Sequence, residues 1–430
     1  MPNARKFAKM LQISACKARQ LIKHPMTKSW AWMFTGQATT QLISTVTALL
    51  IISALPKQEY GIYRFVLSVL PFIALLTHPG VNTRVLADTA SGNNTLKEAT
   101  AKRLKTSVLA TAAAMFISLY YFLDGNMELS AAFAISGILF PLSESISTTT
   151  HLLYGRFKFI AAVFLEMSVQ LSRLIIIATA LYFISKQSVV VLTASLLSVL
   201  LLRVIWYNML QKQQKTVSHL NRPEQISDSF REFDKGITTN HILSTINANI
   251  DKLFIWFFMG ALPLAKYSAA FLIATFASRF LSLIPQVFLP YNIRNGNKGE
   301  EHLKIALLIF LVVFLLVLLA LPLLGLIYKY ILQKYFSPET VLSAQILLLS
   351  QVFFLFSNLI WNKLLAQKNK LAIYLLPFIQ SATLILGLCI LWLFHIQSVT
   401  RVALVILSSS LVSATTSLLI LKSQSEARIL

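Results

Sequence analysis

Apolar runs of membrane-spanning length cover most of the chain, and short polar segments separate them. A run of about 20 apolar residues is long enough to cross a hydrocarbon core of roughly 30 Å as a helix. Transmembrane β-strands would instead give short segments of alternating polarity, which the sequence lacks. The pattern predicts twelve membrane-spanning helices, at residues 29–54, 61–87, 104–123, 129–153, 160–184, 188–210, 237–260, 267–291, 303–328, 340–362, 371–394 and 398–421.

The predicted helix at residues 237–260 carries polar residues on a single face. They recur at positions i, i+4, i+7 and i+11, as Asn240, Ser244, Asn247 and Asp251. These positions align along one side of a helix. A polar stripe within lipid must face protein or water, so we expect this helix to border a cavity or another helix.

A similar arrangement occurs 207 residues earlier in the chain. This register pairs Gln37 with Ser244, Thr40 with Asn247, Ser44 with Asp251, Tyr60 with Tyr267, and Glu144 with Gln351. Each copy holds six spans, an even number, so the copies share one orientation. The predicted fold is therefore an all-α integral membrane protein, with twelve transmembrane helices in two six-helix bundles related by a pseudo-two-fold axis along the membrane normal.

Composition and charge agree with a membrane protein. Of the 430 residues, 56% are hydrophobic and 13% are charged, which is too apolar for an ordinary soluble domain. The formal charge of +22 comes mainly from Lys and Arg at helix ends, which indicates topology rather than nucleic-acid binding. The segments assigned to the cytoplasm hold 26 Lys and Arg against six in the outside segments, which places both termini in the cytoplasm.

The chain divides into five parts on this topology. Residues 1–28 form a basic amphipathic segment suited to an anionic membrane surface. A mitochondrial presequence is the alternative for this segment, which the bacterial character of the remaining chain disfavours. The other parts are an N-terminal bundle at 29–210, a polar cytoplasmic linker at 211–235, a C-terminal bundle at 236–421 and a cytoplasmic tail at 422–430.

Enzyme signatures are absent from the sequence. It holds no Walker A motif, no His-Glu-x-x-His, no Asp-x-Asp pair and no Gly-rich phosphate loop. The two cysteines, Cys16 and Cys389, lie near opposite ends of the chain and provide no disulfide framework or zinc cluster. We therefore expect a non-enzyme without catalytic residues, metal site or cofactor, whose function depends on residues within the membrane.

Nine Asp, Glu, Lys and Arg residues are predicted to lie at membrane depth. Each costs roughly 2.5 to 3.5 kcal/mol at a helix centre, so each is a candidate for function. Six are basic and three acidic: Arg64, Arg84, Arg173, Arg203, Lys252 and Arg279, with Glu144, Glu166 and Asp251. The excess of arginine favours an anionic substrate, because a guanidinium donates forked hydrogen bonds to phosphate oxygens. For Arg64 and Arg84, near the ends of their helix, contact with lipid headgroups is an equal alternative.

Amides and hydroxyls accompany these charges and suit a hydroxyl-rich ligand such as a sugar. The alternative for each is a hydrogen bond between helices, worth about 0.6 kcal/mol. Combining both groups, we predict that the substrate is bound by Arg84, Arg173, Arg203, Arg279, Lys252, Asn247 and Gln351.

The three acidic residues are candidates for coupling to an ion gradient. Asp251 ranks first because its stripe runs along the expected interface between the bundles, and Glu144 and Glu166 follow. The alternative is that all three pair with arginines. Adjacent helical residues point about 100° apart, so we expect a partner for Asp251 on another helix rather than Lys252.

Two stretches resemble the polysaccharide (O-antigen) flippases of the multidrug, oligosaccharidyl-lipid and polysaccharide exporter superfamily. Residues 55–88, with Glu59-Tyr60-Gly61 and Gly80, resemble the first hairpin of that family. Residues 249–270, with Asp251-Lys252, Gly260 and Tyr267-Ser268-Ala269-Ala270, resemble the start of its second half. Leu264 and Ala265 depart from the small-residue turn that the family has before this tyrosine.

The resemblance implies a function and a set of partners. Two bundles around a cationic cavity would rock to carry an undecaprenyl-diphosphate-linked oligosaccharide from the cytoplasmic to the periplasmic leaflet of the bacterial inner membrane. Implied partners are membrane lipids, H⁺ or Na⁺, a polysaccharide polymerase and chain-length proteins, with no nucleic acid. Two alternatives are a drug or cation antiporter, which the basic excess disfavours, and a membrane polymerase or ligase, which the short outside loops disfavour. A scaffold for the polysaccharide machinery is a third.

Overall fold

In a computed structural model the protein is helical, with no strand among the described residues, which are 25–77, 80–90, 95–215, 229–281, 299–366 and 370–426. The helices described are α1 Pro25–Ala54, α2 Lys57–Leu75, α3 Gly80–Ala90, α4 Leu96–Leu123, α5 Met127–Ile146, α6 Thr148–Gly155, α7 Phe159–Phe183, α8 Ser188–Lys215, α9 Ser229–Met259, α10 Ala261–Leu281, α11 Gly299–Tyr330, α12 Pro338–Ala366, α13 Lys370–Leu393 and α14 Val399–Glu426. A short 3₁₀ helix, Gln333–Tyr335, links α11 to α12.

The all-α membrane fold is confirmed, while the number of apolar spans differs from twelve. In the described part of the chain, ten helices are long and apolar enough to cross a membrane, or eleven when α2 and α3 count as one bent span. The remaining predicted span is α9, whose polar residues lower its hydropathy. The polar stripe of α9 therefore also excludes this helix from a count based on apolarity.

One predicted span is sharply bent within the first half, and another is interrupted at a single residue. The span predicted at 61–87 consists of α2 and α3, which meet at an angle of 64°. Pro79-Gly80 lies at the junction of these two helices in the sequence, whereas Pro71 lies inside α2. The span predicted at 129–153 consists of α5 and α6, which are separated only at Ser147; this residue keeps right-handed helical backbone angles, so Met127–Gly155 forms one apolar span. The short helices α3 and α6 pack against each other.

The two halves of the chain fold alike. In the first half α4 packs on α5, and α5 packs on α8; in the second half α11 packs on α12, and α12 packs on α14. Likewise α1 contacts α7 as α9 contacts α13. Helix α4 ends at Leu123 and α11 ends at Tyr330, which lies 207 residues later. The duplication predicted from the polar stripes is confirmed.

The halves meet mainly where α2 packs against α9 and α10. The ring of Phe65 on α2 stacks on Trp256 of α9, with centroids 4.1 Å apart and planes 8° apart. Closer to the helix start, Gly61 lies so near the carbonyl oxygen of Ala261 that a methyl group there would overlap it. A glycine at residue 61 therefore permits the close approach of α2 to the start of α10.

The link between α11 and α12 reinforces this contact from the second half. The Lys334 ammonium donates a hydrogen bond to the carbonyl oxygen of Leu55. The Tyr335 ring packs edge-on against Tyr60, with centroids 6.0 Å apart, and lies under the Lys57 ammonium. Burial, with Lys57 and Lys186 nearby, lowers the pKa of Lys334. We call this side of the molecule, at the loops near residues 55, 260 and 334, the closed end.

Candidate functional site

Three arginines converge between the two halves, and we call them the arginine cluster: Arg64 of α2, Arg173 of α7 and Arg279 of α10. The Arg279 guanidinium is exposed to solvent and reaches across to α1. Its Nη1 donates to Gln41 Oε1 at 2.8 Å and to Ser44 Oγ at 2.9 Å. An arginine of the second half is thus held by polar residues of the first half.

In the described part of the chain the other two arginines lack acidic partners. Nη2 of Arg173 donates to the Tyr63 hydroxyl at 3.4 Å, and Nε of both Arg173 and Arg64 is buried without a hydrogen-bond partner among the described residues. Within the same part of the chain neither arginine forms a salt bridge. The positive charges of Arg173 and Arg64 act on Arg279. The cluster is therefore a site of concentrated positive charge at membrane depth.

Glu166 of α7 has two neutral hydrogen-bond partners, and the positive charge of Arg203 also acts on it. Its carboxylate accepts a hydrogen bond from Gln37 Nε2 at 3.1 Å and from the Tyr154 hydroxyl at 3.3 Å. Gln37 lies one turn before Gln41, which binds Arg279. Helix α1 thus connects Glu166 to an arginine of the other half.

Glu144 and Arg203, by contrast, belong to an ionic network inside the first half. Glu144 Oε1 lies 3.2 Å from Arg203 Nη1, and Oε2 lies 3.6 Å from Arg103 Nη2. Arg203 also donates to the carbonyl oxygen of Ser143 at 2.9 Å. The structure brings these two predicted residues together as a pair, and not with the arginine cluster.

The contacts of Asp251 differ in one respect from the expectation that its partner lies on another helix rather than at Lys252. The Tyr267 hydroxyl of α10 donates to its carboxylate, which is the expected partner on another helix. Lys252, however, also contacts Asp251 at 3.2 Å, so the adjacent pair does form. The lysine chain bends back to donate to the carbonyl oxygen of Ala248, and this geometry bridges the angle between neighbours. Asp251 and Lys252 are 2% and 4% exposed, so this pair lies in the packed interface of α9 and α10.

The remaining predicted substrate residues lie in two different places. Asn247 and Gln351 line a cavity of about 400 Å³ in the second half. Arg84 lies on α3, 3.6 Å from Asp88, beside a cavity of about 120 Å³ that Lys102 also lines. The side chains of Asn240 and Asn362 lie outside the described residues. The structure thus separates Arg84 from the arginine cluster.

Arg103 is the main residue that sequence reasoning missed. It lies one residue before the span predicted at 104–123, where a basic residue indicates topology, yet its side chain is 1% exposed. Its guanidinium donates to the carbonyl and hydroxyl oxygens of Thr77, to Asn82 Oδ1 and to Ser147 Oγ. Thr77 and Ser147 mark the breaks between α2 and α3 and between α5 and α6. A lone arginine at a helix end gives no sequence signal for such a role.

Comparisons with known proteins agree with this architecture. A multidrug resistance MATE family transporter of the MOP superfamily, solved in an outward-facing conformation, has a TM-score of 0.70 at 14% identity, over 95% of this chain and 98% of that chain. A MOP superfamily transporter from Pyrococcus furiosus has a TM-score of 0.63 at 11% identity, over 95% and 98% of the two chains. A MATE protein in the bent conformation has a TM-score of 0.58 at 12% identity, over 95% and 97%.

These likenesses concern the fold, and the conformation of this chain follows from its own contacts. No curated protein sequence matches the chain. A sequence model of a family described as "Polysaccharide biosynthesis protein" matches residues 26–296, which is more than half of the chain. With its many apolar helices and its MATE-like fold of two halves, the chain is a multi-pass membrane protein that belongs to the polysaccharide biosynthesis protein family.

Proposed function

We propose that this protein is a flippase that moves an undecaprenyl-diphosphate-linked oligosaccharide across the bacterial inner membrane by alternating access. The observation that carries the proposal is the arginine cluster, with Arg64 and Arg173 lacking salt bridges in the described residues. The family assignment supports a polysaccharide intermediate as the cargo. The fold supports transport rather than catalysis.

The charge balance of the cluster favours a diphosphate. Like charges at membrane depth repel each other, and an anion that enters between them removes this repulsion. Arginine suits phosphate oxygens because its planar fork donates two parallel hydrogen bonds. A cationic drug would instead meet Arg64, Arg173 and Arg279 as like charges, so an antiporter of cationic drugs fits this site poorly.

The position of the closed end suggests which step the structure represents. The positive-inside bias predicts that both termini are cytoplasmic, which puts the loops of the closed end on the periplasmic side. In that orientation the arginine cluster is reached from the cytoplasm, where the lipid-linked substrate is made. Opening the contact of α2 with α9 and α10, while closing the opposite side, would release the substrate to the periplasmic leaflet.

The test is flipping of a fluorescent undecaprenyl-diphosphate-linked oligosaccharide in proteoliposomes. We expect Arg173→Glu and Arg279→Glu to abolish flipping, and the Lys variants to retain more activity than the Ala variants. Arg401→Glu is the matched control, because Arg401 is exposed at the start of α14. The same oligosaccharide on an undecaprenyl monophosphate should flip more slowly in the parent protein.

A complementation assay carries the same comparison into cells. Each variant, at matched expression, is placed in a flippase-null strain and surface polysaccharide is measured. Full activity of both Glu variants in vitro and in cells would overturn the cationic-site proposal. If every arginine-cluster variant is as active as the parent, a scaffold for the polysaccharide machinery is favoured instead.

A further inference from the structure

The cavity of about 400 Å³ lies within the second half, between α9, α10, α12, α13 and α14. Its volume falls in the range of roughly 300–1,000 Å³ typical of small-molecule sites. Gln351 and Gln380 place it about 20 Å along their helices from the closed end, at about 1.5 Å per residue. By the same measure Arg173 lies about 15 Å and Arg279 about 27 Å from this end, so the cavity is at the depth of the arginine cluster, although none of the three arginines lines it.

None of the seventeen residues that line this cavity carries a formal charge. Most of them are amides and hydroxyls, with Asn247, Asn358, Gln351 and Gln380 supplying the amides. An amide offers both a donor and an acceptor, which matches hydroxyl groups that also do both. An ion of either sign would enter this cavity without a countercharge.

Aromatic rings complete the lining. Phe271, Phe354 and Trp361 border the cavity and supply flat apolar surface. A pyranose ring has apolar C–H faces and hydroxyl edges, so it requires both kinds of surface at once. Small-ligand sites in general combine aromatic walls with a few placed polar groups.

Two buried polar atoms at this cavity lack partners. Asn247 Oδ1 and Trp361 Nε1 form no hydrogen bond to any described residue. Buried polar atoms are usually paired, and an unpaired one calls for an explanation. Both atoms have almost no accessible surface, so a ligand with hydroxyl groups would satisfy this acceptor on α9 and this donor on α12 once their side chains turn toward the cavity.

The cavity also adjoins the arginine cluster along α10. Phe271, Thr275 and Ser278 line the cavity from one face of this helix, and Arg279 is the next residue. A single molecule can therefore place an anionic group at Arg279 and an uncharged group in the cavity.

We infer that this cavity binds an uncharged sugar ring of the transported glycan, while the arginine cluster binds the diphosphate. The inference rests on the proposed function for the attachment of sugar to diphosphate, and the two halves then recognise different parts of one substrate. In this assignment the first half and Arg279 bind the diphosphate, which all such substrates share. The cavity of the second half binds the glycan.

The test measures the two parts separately on the purified full-length protein in nanodiscs. Saturation-transfer NMR is recorded with N-acetylglucosamine, galactose and rhamnose as uncharged probes and with glucuronate as a charged one. Inorganic pyrophosphate binding is measured by calorimetry. We expect at least one uncharged sugar to receive saturation, and glucuronate to receive less.

Variants then assign each signal to its site. Gln380→Ala and Gln351→Ala should weaken sugar binding by about two- to tenfold each, the effect of one lost hydrogen bond. Gln333→Ala is the matched control, since Gln333 is exposed at the closed end. Arg279→Gln should weaken pyrophosphate binding and leave the sugar signal unchanged.

The outcomes separate this inference from the proposed function. Pyrophosphate binding that needs Arg279, with no saturation of any sugar or with equal saturation in Gln380→Ala, overturns the inference and leaves the flippase proposal standing. Sugar binding that needs Gln380, without pyrophosphate binding, supports the cavity and contradicts the flippase proposal. Sodium binding that Gln380→Ala removes, seen by ²³Na relaxation in the absence of sugar binding, assigns the cavity to a cation and also overturns the inference.

Discussion

A buried charge is stabilising only when it has hydrogen-bond or ionic partners, and Arg103 has several of them. Its guanidinium bonds to Thr77, Asn82 and Ser147 and lies 3.6 Å from Glu144. The guanidinium thereby gives a buried partner to the carbonyl and hydroxyl oxygens of Thr77, after α2, and to Ser147 Oγ, between α5 and α6. Arg103 supplies several donors at once, which a lysine with its single ammonium cannot match in geometry.

Replacing Arg103 should therefore destabilise the first half. We expect Arg103→Leu to lower the free energy of unfolding by about 3–5 kcal/mol, because Glu144 and the oxygens at both breaks lose a buried partner. Arg103→Lys should recover only part of this loss. Thermal unfolding in nanodiscs measures the change, with Lys102→Leu as the control, since Lys102 is exposed next to Arg103. Equal stability of Arg103→Leu and Lys102→Leu would contradict the role of Arg103.

The Asp251–Lys252 pair gives a second prediction at the scale of single residues. Both side chains are buried, and the Lys252 ammonium also lies 4.6 Å from the centroid of the Phe271 ring. Asp251→Asn leaves Lys252 buried without its countercharge, which we expect to destabilise the protein by about 3–5 kcal/mol. Adding Lys252→Met should restore much of this stability, because the double variant buries no unpaired charge. A double-mutant cycle of thermal unfolding measures the coupling, and simple additivity of the two changes would disprove it.

Sequence reasoning located Asp251, Arg203 and Arg279 but not their partners, and it missed Arg103. Asp251 stands out because an acid at membrane depth is costly, whereas its contact with Tyr267 depends on how α9 meets α10. The separation of Arg203 from Arg279 likewise depends on packing between helices. Periodicity shows which face of a helix is polar. It does not show which neighbouring helix that face contacts.

At the scale of elements, the approach of α2 to α10 is the most demanding contact between the halves. Gly61 has no room for a methyl group, because the backbone carbonyl of Ala261 occupies that space. A carbonyl belongs to the main chain and cannot rotate away as a side chain does. The contact thus limits the residue at this position to glycine as long as the closed end is closed.

Gly61→Ala should open the closed end. We expect cysteine pairs placed at Leu55 and Lys334, in a background without Cys16 and Cys389, to crosslink less in Gly61→Ala than in the parent. Flipping should fall as well, since one of the two alternating states loses stability. Gly325→Ala is the control, because nothing lies within 4 Å of a methyl group added there. Crosslinking at parent level in Gly61→Ala would show that the approach of α2 and α10 is not required.

The helices themselves follow well from the sequence, and their interruptions follow only in part. Apolar length predicts the spans to within a few residues in most cases, as in the end of α1 at Ala54. Pro79-Gly80 lies at the junction of α2 and α3 and is a turn signal, although the predicted span 61–87 includes it. The interruption at Ser147 has no such signal, since the nearest proline, Pro141, lies inside α5.

At the scale of the whole molecule, the duplication is visible in sequence because it repeats a polar pattern. The arginine cluster is harder to predict from the sequence, because its residues come from both halves. Arg279 meets Gln41 and Ser44, which are more than 200 residues earlier in the chain. A contact of this separation arises only once two bundles are packed, and it makes the cluster sensitive to their relative position.

That sensitivity suggests how an ion gradient would act on transport. Glu166 accepts hydrogen bonds from the neutral groups of Gln37 and Tyr154, and the charge of Arg203 acts on it without a salt bridge among the described residues. It can therefore take up a proton without leaving a salt-bridged cation behind. Asp251 and Glu144 would each abandon a basic partner on protonation. Through Gln37 and α1, Glu166 also lies close to the residues that hold Arg279. We therefore place Glu166 ahead of Asp251 and Glu144 as the coupling residue.

The last prediction concerns the energy that this coupling supplies. One elementary charge that crosses the membrane gains about 2.3 kcal/mol per 100 mV, which is enough to bias the two states substantially. In proteoliposomes, flipping by the parent should accelerate when a proton gradient is imposed, and Glu166→Gln should flip at a rate that ignores the gradient. The Asp251→Asn, Lys252→Met double variant and the exposed-site control Glu339→Gln should keep the response. A response retained by Glu166→Gln excludes Glu166 as the coupling site, and a response to sodium alone identifies sodium as the coupling ion. A parent that ignores both gradients contradicts ion-coupled transport itself.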